Sequence, residues 1–417
     1  NTKSNFRRVI MSYYILDKTN IIEYLNQIKK VKEYFGNDDL SIDEIGDGNL
    51  NFVFIIKSKS DESKALILKQ AVPYLRCVGE EFPLNRERMT YEIRALQSFY
   101  EQSPLNVPEI YDANEGMSAV VMQFLDEHII MRKGMIEEVI YPRFADHIST
   151  FLANNLFKTS SLYLDSTSKR QLIGQFNDNT ELCKLTEDFV FTFAFMDHET
   201  NDPYSKDNES AKKLFEDMKF KKAVLGLKYK FMTQTDTLLH GDLHTGSIML
   251  NKKETFVIDP EFAFVGPFGF DIGALIGNLV MSYTSHTAQE SEITYREWIL
   301  DLIVEILEKF ENKFLELWDA HDESALILPA FINKDELDEY KKEFMVNILR
   351  DTVGFAGCKM TRRMFGIAGV EDIRDIKDVK IRDKAIKQTL KISKKFVKHY
   401  EEIEKIEDII NIIKGIK

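Results

Sequence analysis

The string His240-Gly241-Asp242-Leu243-His244-Thr245-Gly246-Ser247 constrains this chain more than any other stretch. It is polar and broken by glycine, yet short apolar runs enclose it: Leu238-Leu239 before, Ile248 to Leu250 behind, Phe256 to Ile258 further on. Short apolar runs bounded by turn residues read as strands, so the string reads as a loop held between them. Asp259-Pro260-Glu261 follows, with Asp259 seventeen residues beyond Asp242. A loop carboxylate can accept the proton of a hydroxyl. A pair of carboxylates offers the oxygen ligands that a hard cation such as Mg²⁺ takes. If Asp259 and Glu261 continue the strand, they face one side and can share one ion.

The rest of the chain divides by pattern. From Leu40 to Lys69, β-branched and aromatic runs alternate with turn chemistry at Gly46-Asp47-Gly48-Asn49 and at Ser58 to Ser63. Met89, Ile93 and Leu96 recur at helical spacing and predict a helix over Arg86 to Tyr100. Val107 to Tyr111 and Ala119 to Phe124 read as two more strands. Beyond Asp126 helical patterns dominate: Ile136 to Leu156, Thr186 to Phe195, Ala211 to Lys230, Tyr295 to Phe314, Lys334 to Phe355 and Asp383 to Glu404. A terminal helix is expected from Ile409. Residues 1–10 precede an internal Met11 and are left out of the fold reading.

A formal net charge of -13 argues against nucleic acid as a partner, because such affinity rests on neutralising phosphates. Cys77, Cys183 and Cys358 lie far apart and fit reduced thiols, and with no leader pattern read near Arg7 and Arg8 the expected location is the cytoplasm. No apolar run reaches the length of a membrane span.

With these motifs in view, the chain resembles the group of aminoglycoside phosphotransferases, choline kinases and methylthioribose kinases, many of which carry HGDxHxxN where this chain has HGDLHTGS. The resemblance implies an α+β, bilobal, protein-kinase-like fold. Residues 11–124 would form a small antiparallel-sheet lobe that binds the nucleotide. Residues 125–417 would form a larger, mainly helical lobe for catalysis and the acceptor. ATP and Mg²⁺ are the implied cofactors, with Asp242 as catalytic base and Asp259 and Glu261 on the metal. Ser247 departs from the group's Asn. Either Glu261 takes over part of the coordination or a second ion is absent.

Gly48 and Asn49 lie where a phosphate-covering loop should, although the same residues suit an ordinary hairpin. Lys69, closing the apolar run Leu66-Ile67-Leu68, resembles the lysine that contacts ATP phosphates. Glu92 is expected to orient it, with Glu87 as the alternative. The adenine is expected against backbone near Gln123 to Leu125. Lys69-Gln-Ala-Val-Pro-Tyr-Leu-Arg76 and Val78 to Leu84 are similar to an insertion of the methylthioribose kinases, whose members often have Trp in place of Phe82. The twin Arg362-Arg363 resembles the paired arginines of that family and implies contact with substrate. Asp271 is expected to brace the catalytic loop.

The resemblance thus implies transfer of a phosphoryl group from ATP to the anomeric hydroxyl of 5-methylthioribose, giving 5-methylthioribose 1-phosphate in methionine salvage. A homodimer is implied as well. Another small-molecule kinase of the group (for an aminoglycoside, choline or homoserine) and a nucleotide-binding pseudokinase scaffold remain the alternatives.

Overall fold

The computed structural model describes residues 13–45, 51–75, 79–202, 209–321, 323–328 and 331–416. Gly48 and Asn49 lie outside the described residues. The chain separates into two compact units. One comprises the residues up to Ser98 together with Pro108–Asp126, the other Phe99–Val107 and everything from Glu127 onward.

Two short helices open the first unit, α1 Ile21–Leu25 and α2 Lys29–Phe35. Strands β1 Leu40–Glu44, β2 Asn51–Ser58 and β3 Ala65–Ala71 follow, then a small hairpin, β4 Tyr74–Leu75 with β5 Gly79–Pro83. Helix α3 Arg88–Gln102 leads to β6 Ile110–Asn114 and β7 Ala119–Gln123. The five long strands form one antiparallel sheet in the order β1-β2-β3-β7-β6. Alternation along the strands sorts their side chains between two faces. Phe54, Ile56, Leu66 and Leu68 pack on α1 and α2 through Ile21, Tyr24, Val31 and Phe35. Ala71 and Val120 pack on the other side, against Met89 and Ile93 of α3. Lys69 is two residues from Ala71, so it shares the α3 face. The strand expected from Val107 begins at Ile110 instead, because Pro108 has no N–H to give a ladder.

The second unit is mainly helical. It holds β8 Ile129–Ile130, α4 Met131–Ile136, α5 Phe144–Lys158, α6 Ser166–Phe176, α7 Thr180–Phe191, α8 Glu209–Phe215 and α9 Met218–Thr233. Four three-residue strands follow: β9 Thr237–Leu239, β10 Ile248–Leu250, β11 Thr255–Val257 and β12 Phe264–Gly266. The chain closes with α10 Gly269–Ala288, α11 Ile293–Asp319, α12 Lys334–Phe365, α13 Glu371–Arg374, α14 Val379–His399 and α15 Ile406–Lys414. Among the described residues no helix is long and apolar enough to cross a membrane.

Three helical readings change. The pattern over Ala211 to Lys230 is two helices, α8 and α9, parted at Asp217, whose side chain caps α9 by accepting from the Phe220 N–H. The pattern over Ile136 to Leu156 is two helices, α4 and α5, since Pro142 stands where a continuous helix would need an N–H. The helix expected to end at Phe355 runs to Phe365 and carries Arg362 and Arg363 in its last turn. Helix α10 is buried on every side except at Tyr283 and Thr287, and packs closely on α12. A Cβ at Gly269 would sit 2.6 Å from the Thr352 nitrogen, and one at Gly273 2.5 Å from the Thr352 oxygen.

Candidate active site

In the first unit, β3 presents Lys69 between Val53 of β2 and Val120 of β7. Glu92, one turn before the middle of α3, meets it: Lys69 Nζ lies 2.7 Å from Glu92 Oε1. The two side chains are 8% and 0% exposed. Burial of a lysine at this depth calls for a partner, and Glu92 is that partner. Glu87, the alternative, is exposed and accepts from Asn85 instead. Gln123 ends β7, and its Oε1 accepts from the Glu109 N–H. Leu125 is buried.

In the second unit the loop between β9 and β10 carries Asp242. Asp271, in the first turn of α10, accepts from the backbone N–H groups of His240 (2.6 Å) and Gly241 (3.0 Å). Burial pushes the Asp271 carboxyl upward, while His240 and the two N–H bonds oppose this. Gly241 sits at φ +85, and a Cβ there would lie 2.1 Å from the Phe262 oxygen, so only glycine fits. His240 Nδ1 accepts from Asp242 N–H, which leaves Nε2–H to donate to the Ile258 oxygen. The Ser247 hydroxyl accepts from His244 N–H and donates toward the Asp242 and His244 carbonyls. It is thus engaged in folding the loop on which Asp242 stands.

The Asp242 carboxylate is held at both oxygens. Lys359 Nζ lies 2.9 Å from Oδ1, while His244 Nε2 is 3.3 Å and Arg363 Nη2 3.9 Å from Oδ2. Burial raises the Asp242 pKa, but Lys359, His244 and Arg363 outweigh it and hold the group well below the usual carboxylate range. Burial lowers His244 to about 4, so it is neutral at neutral pH. Its Nδ1 accepts from Gly246 N–H, which puts the proton on Nε2, toward Asp242.

Around this carboxylate gather Lys359, Arg362 and Arg363 of α12 and Arg132 of α4. Burial and Arg362 draw Arg363 down to about 9, so it stays charged. Arg132 pairs with Asp372 at 3.2 Å and donates to Asn278. Arg362 and Arg363 donate to the carbonyls of Ile367 and Ala368, just past the end of their helix.

Asp259 and Glu261 offer carboxylate oxygens within 4.8 Å of one another. A turn brings them together, not strand alternation: β11 stops at Val257, and Asp259 takes φ +67. Asn179 fixes this turn by donating to the carbonyls of Glu261 and Ala263. Asp259 is exposed and Glu261 is buried. Two adjacent oxygen donors at the tip of a braced turn fit a hard divalent cation.

Lys359, His244, Arg132 and Asp372 had no assigned role in the sequence reading. A signal existed for Lys359: it stands at i−3 and i−4 from the twin arginines, which puts all three on one side of a helix. The helix was expected to stop short of them.

A family model described as a phosphotransferase enzyme family matches residues 41–299, which include Lys69, Glu92, Asp242, Asp259 and Asp271. The molecule is accordingly a phosphotransferase on the protein-kinase-like fold. Methylthioribose kinase 1 of Oryza sativa subsp. japonica is 39% identical over 395 residues, covering 92% of this chain and 91% of its own. A methylthioribose kinase of Bacillus cereus is 39% identical over 394 residues, covering 93% and 94%. The chain belongs to the methylthioribose kinase family.

Proposed function

We propose that the enzyme transfers the γ-phosphoryl group of ATP to the anomeric hydroxyl of 5-methylthioribose, in the cytoplasm and as a homodimer, as a step of methionine salvage. The observation that carries this reading is the likeness to methylthioribose kinases along nearly the whole chain. The charge around Asp242 supports it: Arg132, Lys359, Arg362 and Arg363 stand against Asp242 and Asp372. Such surroundings suit a neutral sugar and a phosphate, and they disfavour the ammonium groups of choline or an aminoglycoside.

In this mechanism the acceptor oxygen attacks the γ-phosphorus as the bond to the bridging oxygen breaks, and ADP leaves. Asp242 orients the acceptor hydroxyl and takes its proton. Lys69, held by Glu92, contacts ATP phosphates, with Gly48 and Asn49 over them and Gln123 to Leu125 at the adenine. Asp259 and Glu261 would hold Mg²⁺, which when bound neutralises phosphate charge. Arg362 and Arg363 bind the acceptor and the transferring group.

The test is ADP release from Mg·ATP with 5-methylthioribose, ribose, choline, homoserine and kanamycin in turn. Turnover is expected with 5-methylthioribose and reduced by about 10³-fold or more in Asp242→Asn, whose nucleotide affinity should be kept. Turnover with another acceptor alone would overturn the substrate. Full activity in Asp242→Asn would overturn the base.

A further inference from the structure

Lys359 is an unusual lysine. It is 3% exposed, on a helix interior, and its Nζ meets the Asp242 carboxylate at 2.9 Å and the Phe270 ring at 4.7 Å from its centroid. A lysine rarely enters a core unless the charge is used, because burying an unpaired ammonium is costly. Its helix has no freedom to drift. Gly273 and Gly277 of α10 let α12 approach until a Cβ would strike the backbone of Thr352 and Ala356, on the turns just before Lys359. Phe270 and Asp271 are neighbours on α10. The first carries the face on which the ammonium rests, and the second grips the backbone of the loop bearing Asp242. One helix therefore fixes the height of the loop and of the lysine together.

We infer that Lys359 is a positioning residue for Asp242, clamping Oδ1 so that the carboxylate plane is set and Oδ2 is the oxygen turned to the acceptor hydroxyl. His244 Nε2–H steadies Oδ2 from the loop itself, at 3.3 Å, and each carboxylate oxygen keeps a second lone pair. This rests on the reading of Asp242 as the base. Arg363 faces Oδ2 from α12 at 3.9 Å, and Arg362 and Arg132 stand behind it. None of these touches Oδ1 as Lys359 does. The clamp has a chemical cost: an ion-paired carboxylate is a weak base. Phosphoryl transfer through a loose transition state asks chiefly for orientation, and there the exchange is favourable.

The experiment compares Lys359→Met, Lys359→Gln and Lys359→Arg with the wild type across pH 5 to 9, each also in Asp242→Asn, with thermal melts alongside. Lys359→Met is expected to lower kcat about 10²-fold while KM for ATP stays within about threefold. With the ammonium gone, Asp242 becomes easier to protonate. The ratio of variant to wild-type kcat/KM, in which substrate ionisation cancels, should then fall further below about pH 6. Lys359→Gln keeps a donor for Oδ1 but no charge, so it should recover rate without recovering the acid behaviour. Lys359→Arg should recover the acid behaviour. In Asp242→Asn, adding Lys359→Met should cost little more, since a clamp on an absent carboxylate has nothing to hold. A flat ratio across pH in both the Met and Gln variants, or full additivity with Asp242→Asn, would overturn the inference. If Lys359→Met does not fold, the Gln and Arg variants decide it. An active Asp242→Asn would instead overturn the reading of the site itself.

Discussion

Gly241 makes the sharpest backbone demand in the catalytic loop. Its φ of +85 and the Phe262 carbonyl 2.1 Å from any Cβ leave a side chain neither conformation nor room. Gly241→Ala is expected to cost about 3 kcal/mol or more, and to displace Asp242 far enough to remove most turnover. A melt and an ADP-release assay check both. A variant that melted as the wild type does would mean that the loop yields more easily than its contacts with Asp271 and Ile258 suggest. At this scale the sequence was most legible. Lys69, Glu92, Asp242, Asp259 and Asp271 could be named through the family resemblance that their motifs carry, and the structure sets Glu92 against Lys69 and Asp271 under the loop of Asp242. Lys359, His244 and Arg132 escaped because each acts through a neighbour in space: a lysine becomes a clamp only when a helix places it over a carboxylate.

Helices α10 and α12 show how an element can carry a site with no reactive group at the point of contact. Gly273 admits the Thr352 carbonyl to within 2.5 Å of where its Cβ would be, and this closeness holds Lys359, Arg362 and Arg363 over Asp242. Gly273→Val forces the helices apart. We expect a loss of about 1–3 kcal/mol from overpacking and a fall in kcat/KM for the acceptor of about tenfold or more. ATP affinity, which the proposed function lodges in the first unit, should hold. Equal losses for both substrates would show that the crossing supports the whole fold and has no special bearing on the acceptor. Helix α10 was also the element least legible from sequence. Gly269 to Ala288 is buried nearly all round, so no polar face marks a period of 3.6 residues, and the stretch reads only as an apolar run. Helices α11 and α14, each with one wet face, were read to within a few residues. The C-terminal end of α12 and the break between α4 and α5 depend on neighbours and on one proline, which periodicity does not register.

Across the whole molecule, groups of opposite sign set the response to acid. Burial lowers His244 to about 4 and draws His147 and His286 down as well. As pH falls through about 6.5 the unfolded chain protonates these histidines and the folded one does not, which destabilises. Burial raises Asp236 and Asp372 each to about 6, against partial relief from the Phe268 N–H and Lys169 for the first and from Arg132 for the second. Their folded pKa lies above the unfolded value, so the folded chain takes up protons first, and stability rises as pH falls from 7 toward 5. The two sets oppose each other. A fall in net charge from its formal -13 at neutral pH adds to the second by easing self-repulsion. Below about pH 4 the balance breaks. Asp242 is depressed, as is Asp217, where burial is outweighed by Lys394, the Phe220 N–H and Lys398. Such carboxylates stabilise above their unfolded pKa, and that contribution disappears as they protonate. The expected profile is a melting midpoint that shifts by only a few degrees between pH 7 and 5 and drops steeply below about pH 4. Asp217→Asn should lower the plateau and blunt the drop, because Asp217 caps α9 as well as binding two lysines of α14. Calorimetry over a pH series reads the midpoint directly, without assuming that the two units unfold as one. A steep decline already between pH 7 and 5 would mean that the buried histidines outweigh the buried acids, and Asp217→Asn would then leave the slope unchanged.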